Sequence, residues 1–94
     1  MKDFEALGRY TDAAERMASL SSQRHNLAAE LARMLHKASM FNNTASSGTV
    51  QVFDHAEAVK QVEKLASANE QLEAAITEMN SYAIAAEKPA VRRI

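Results

Sequence analysis

The sequence predicts an all-α fold, two long antiparallel helices forming a coiled-coil-like hairpin. Three observations carry that reading. Two stretches place apolar residues at alternating spacings of three and four over many turns, the pattern of helices packed along their length. Only two glycines and one proline interrupt the chain, which leaves few points of sharp reversal. Hydrophobic content is 47%, yet Trp is absent and Phe and Tyr are few; this composition suits thin seams between helices better than a thick core. Ninety-four residues fit a single domain, 1–94. Within it the expected order is a helix over about 4–41, a connector over 42–53, a helix over about 54–87 and a basic tail over 88–94.

The first helix is organised by the row Tyr10, Ala13, Met17, Leu20, Arg24, Leu27, Leu31, Met34, Ala38 and Phe41, in which only Arg24 is neither apolar nor aromatic. At about 1.5 Å per residue this seam is roughly 48 Å long, and it needs an apolar cover to be stable in water. Asp3 is placed to cap a helix starting at Phe4. Gly8 weakens such a helix by about 1 kcal/mol relative to alanine, and Asp12-Ala13-Ala14-Glu15 offers a second capping-box start. One helix through Gly8 is the preferred reading over a short lead-in with a hinge.

The helix is expected to end at Asn42-Asn43-Thr44-Ala45-Ser46-Ser47-Gly48, a turn-forming cluster without apolar period. Thr49-Val50-Gln51-Val52-Phe53 then alternates in polarity like a short strand. It is either an extended connector or an edge that pairs with another chain. Asp54-His55-Ala56-Glu57 is a capping box behind apolar Phe53, a hydrophobic staple. The second seam follows as Ala58, Val62, Leu65, Asn69, Leu72, Ile76, Met79, Ala83 and Ala86, until Pro89 stops the helix near Glu87 or Lys88. The tail, with Arg92 and Arg93, is expected to be mobile.

Folding the chain about residue 47 pairs positions whose numbers add to about 94, which sets Arg24 level with Asn69 and Glu70. These polar interruptions form an expected register layer, satisfied by one another at some expense in stability. A two-helix hairpin has a single seam, marginal for a monomer. Phe4, Leu7, Leu35, Val59 and Ala66 widen its apolar face. A homo-oligomer, in the form of an antiparallel four-helix bundle, is therefore expected.

Net charge is −1, too balanced for a protein whose main affinity is for phosphate backbones, so direct nucleic-acid binding is disfavoured. The distribution is polar along the chain: residues 16–37 carry +3, residues 54–87 carry −5 and residues 88–94 carry +3. Segments of opposite sign suit lying beside one another, within or between chains. No cysteine is present, which excludes disulfides and thiolate metal sites. The three histidines, His25, His36 and His55, lack metal-ligand spacing. Glu70 and Glu73 sit one turn apart, as on solvated faces, and no glycine-rich phosphate loop exists. The reading is a non-enzymatic protein without cofactor or metal. No apolar run approaches the roughly 20 residues of a membrane span, and acids stand where a signal peptide would be apolar, so a soluble cytosolic protein is expected. The surfaces singled out for a protein partner are Val50, Val52 and Phe53, Arg92 and Arg93, and the acidic face of the second helix.

Secreted hairpins of the Trp-x-Gly type are excluded by the missing tryptophan, and needle-forming secretion proteins by a connector without proline. The opening Met1-Lys2-Asp3-Phe4-Glu5-Ala6-Leu7-Gly8-Arg9-Tyr10, the two seams and the length resemble the anti-RecBCD protein 1 family of lambdoid phages over the whole chain. The resemblance implies a phage accessory factor in the host cytoplasm. It would help alter the host RecBCD exonuclease-helicase, beside a second, principal inhibitor, so that phage recombination proceeds and linear phage DNA survives. It carries no functional residues over to this chain. The alternative is a structural homo-oligomer, a coiled coil of the assembly or scaffolding kind.

Overall fold

The computed structural model of the chain describes residues 3–40, 48 and 52–94, and these form two helices, α1 (Phe4–Met40) and α2 (His55–Ala83), packed against each other as a hairpin. The result is a rod of 74 × 19 × 16 Å. Among the described residues Val52 and Phe53 lie outside regular structure. Phe41, Val50, most of the turn-forming cluster and the greater part of the strand-like run lie outside the described residues.

Each helix begins as its sequence dictates. Asp3 Oδ1 accepts hydrogen bonds from the backbone N–H of Glu5 at 3.0 Å and of Ala6 at 3.1 Å, satisfying donors that a helix start leaves unpaired. Gly8 is passed without a break, and a side chain added there would meet nothing within 4 Å. Asp54 caps α2 by accepting from Glu57 N–H at 3.0 Å. Glu57 turns away from the cap towards Gln61 and Lys60, so only half of the capping box forms.

The end of α2 differs from expectation. Regular helix stops at Ala83, and residues 84–87 form a closing turn. Lys88 N–H bonds to Ala83 O at 2.9 Å and Glu87 N–H to Ile84 O at 3.1 Å, with Glu87 at φ 55°. This is a Schellman termination with a glutamate in the left-handed position usually given to glycine. The reversal is thus made at Glu87, two residues before Pro89.

The register falls close to the expected one. Arg16 Nη2 reaches Glu78 Oε2 at 2.5 Å and Arg24 Nη1 donates to Asn69 Oδ1 at 3.2 Å, so facing residues have numbers that add to 93 or 94. On α1 the inward row is close to the expected one: Tyr10 and Ala13 are buried and Met17, Leu20, Leu27, Leu31, Met34 and Ala38 half-buried, while Ala6 extends the row by one turn and Arg24 is exposed. On α2 the seam is partly shifted. Ala58, Leu72, Met79, Ala83 and Ala86 are buried, but the alternate positions are taken by Ala68 and Ala75, both at 1% exposure, and by half-buried Gln61. Val62 is 49% exposed, Asn69 is exposed and Ile76 half-buried. The expected row of Val62, Asn69 and Ile76 is therefore an edge of the seam. Two helices in close contact need small side chains at the line of nearest approach, and alanine fits there where valine and isoleucine do not.

Candidate interaction surface

The polar layer forms as a bridge on the rim. Arg24 and Asn69 bond to each other, but both are exposed. Glu70 is exposed and makes no ion pair among the described residues. The layer does not interrupt the core, because the shift on α2 carries Asn69 outward and brings Ala68 in.

The tail, expected to be mobile, is docked. Tyr10 Oη donates to Pro89 O at 2.9 Å. Asn80 clasps Val91 from both sides, accepting from its N–H at 2.7 Å and donating to its carbonyl at 2.9 Å. Arg93 donates to Glu73 Oε2 and Thr77 Oγ1, each at 2.7 Å. Val91 packs on the cluster of Ala6, Tyr10, Ala13, Met79, Ala83 and Ala86. A basic, apolar segment therefore lies along the acidic side of α2, held by charge-assisted bonds and one apolar contact. Of the two arginines singled out for a partner, Arg93 is engaged within the chain. Arg92 is exposed and without an ion pair among the described residues.

At the connector end the surface is apolar and open. Leu31, Leu35, Phe53, Ala58, Val59 and Val62 line a shallow depression, with His55 and Glu63 the two polar residues beside them. Leu35 is 52% exposed and Val52 86% exposed; Met40 is exposed as well, and Phe53 and Val59 are only partly covered. Apolar side chains clustered in this way mark a binding surface more often than scattered ones do. Val52 and Phe53, singled out in the sequence as candidate contacts, are both exposed. The sequence pattern places Val59 and Leu35 beside the seam and Val62 on it.

Among the described residues no helix is long and apolar enough to cross a membrane. The fold and surface together define a helical-hairpin protein with an open apolar groove. No family model, curated protein or solved structure matches the chain.

Proposed function

We propose that the protein is a non-enzymatic accessory factor that works by protein–protein contact, and that its partner is the RecBCD exonuclease-helicase of a phage-infected host cell. The observation that carries contact as the mode of action is the apolar surface at the connector end, where Met40, Val52 and Phe53 stand uncovered on the end of a continuous helix pair. The choice of partner is supported by the resemblance of the sequence to the phage anti-RecBCD family. In this reading the protein helps redirect the host nuclease towards phage recombination in the host cytoplasm, with Val52 and Phe53 as contacts. A second reading, a structural coiled-coil oligomer of the assembly or scaffolding kind, is favoured by the exposed edges that run beside the seam.

The test is a tagged pull-down from bacterial lysate, with nuclease added to remove bridging DNA, read by mass spectrometry. Enrichment of RecB, RecC or RecD, lost on Phe53→Ala or Val52→Asp, supports the reading. Recovery of the bait alone overturns it in favour of the structural alternative. Binding to DNA in its place would show as a steep dependence on salt.

A further inference from the structure

One side of the hairpin carries a row of shallow depressions that together form a groove along the helix pair. Its α1 edge is the heptad row Ser21, Ala28 and Leu35, and its α2 edge the row Val62, Asn69 and Ile76. Residues seven apart lie on the same side of a helix. Ser21 and Arg24 belong both to the part beside Ile76 and to the part beside Leu65, and Leu31 and Val62 continue it one turn further. The upper half is bordered by the chain's own tail, where Arg92, Arg93 and Ile94 line the groove together with Met17, Leu72 and Glu73. The lower half has no cover among the described residues; it is apolar and rimmed by the exposed Glu63.

We propose that the lower half of the groove is covered by a second copy of this chain, in an antiparallel two-fold dimer whose axis crosses the groove between Arg24 and Ala28. Ile94 sits level with Ser21 and Leu72, and Leu31 with Val62 lies about ten residues, or roughly 15 Å, further along. An axis between those levels carries the Ile94 of each chain onto Leu31 and Val62 of the other. The same rotation brings Arg92 to within about one turn of Glu63, inside the reach of an arginine side chain.

Charge favours a second copy as the occupant. The α2 wall of the groove carries a carboxylate in each half, Glu63 in the lower and Glu73 in the upper. The one segment seated on it is basic and apolar, with Arg93 paired to Glu73 and Val91 on the core. A second copy brings that same chemistry to the unoccupied half, since Ile94 and Arg92 stand exposed on the tail. The patch is self-complementary, as a two-fold interface requires: one half offers an apolar groove with a carboxylate, the other a ridge with an arginine. This inference does not rest on the host partner, although Phe53 of the connector also lines the depression that the second copy covers.

Sedimentation equilibrium across about 1–100 µM is expected to show a monomer–dimer equilibrium, weakened at least about thirty-fold by Val62→Glu. Arg92→Glu and Glu63→Arg are each expected to weaken it about ten-fold, and the double variant to restore it to within about three-fold of the starting chain. All three positions are exposed or half-exposed, and circular dichroism checks that each variant keeps its helices. A monomer throughout the range overturns the proposal, as does a dimer indifferent to Val62→Glu. Charge reversals that do not rescue each other overturn the antiparallel arrangement and with it the role of the tail.

Discussion

The two ends of the rod are built from the same two helices yet differ in how well they are covered. At the end holding residues 3–13 and 79–94, Ala6, Tyr10 and Ala13 of α1 meet Met79, Ala83 and Ala86, and Val91 of the tail closes over them. Towards the connector no α1 side chain is buried, and Leu27, Leu31 and Met34 reach only half burial. Gln61 Oε1 is enclosed there without a hydrogen-bond partner among the described residues. Two helices alone present a line of contact, and a line can bury alanine but leaves longer side chains half in water. A third segment turns the line into a small core. The tail supplies it at one end, whereas at the connector end no segment among the described residues covers the apolar side chains.

The comparison breaks most sharply at its anchor. Tyr10→Ala removes a buried ring and the bond to Pro89, and is expected to cost about 3–5 kcal/mol, read as a large fall in melting temperature by circular dichroism. Met34→Ala, at a half-buried site on the same helix, is expected to cost about 1 kcal/mol. Equal losses would mean that the two ends are covered alike. Next in size is Asn80→Ala, which removes both bonds to Val91 and is expected to cost about 1–3 kcal/mol. Hydrogen exchange at the Val91 amide should accelerate well beyond the change at residues of the connector end.

Smaller effects sharpen the account of the helix ends. Gly8→Ala fills open space in mid-helix, and Glu87→Gly relieves a left-handed residue. Each is expected to stabilise by about 0.5–1 kcal/mol, raising the denaturation midpoint without changing its slope. The smallest is Arg24→Leu. Because the Arg24–Asn69 bridge is exposed, its loss is expected to move stability by no more than about 0.5 kcal/mol in either direction. A rise of several degrees in melting temperature would place the pair inside the seam after all.

What was legible in the sequence follows from what each signal measures. The α1 row was plain because most of its apolar residues are large, so hydropathy and packing point to the same face. On α2 two rows compete, one with Val62 and Ile76, the other with Ala68 and Ala75. Hydropathy prefers the larger residues, whereas close packing of two helices prefers the smaller. The register was legible through Arg24 and Asn69, since a hydrogen bond between them constrains level even on the rim. The docked tail was not legible, because a basic segment after proline reads as solvated. What holds it is Asn80, a single polar residue with no periodic signature, together with acids on α2 that look like any charged face. The open groove was only partly visible, as its lining was divided between seam and flank.

The closing of Tyr10 by Pro89 spans 79 positions of the chain, and that separation bears on how the protein is made. As it emerges from the ribosome, α1 is synthesised in full with its apolar row bare, and its best-covered part waits the longest for its partners. Residues 79–91 must leave the exit tunnel before Ala6, Tyr10 and Ala13 can be enclosed. Folding of that end therefore waits until residues 79–91 are available to it. Until then the nascent helix offers its stripe to whatever is nearby, a chaperone or another nascent chain on the same message.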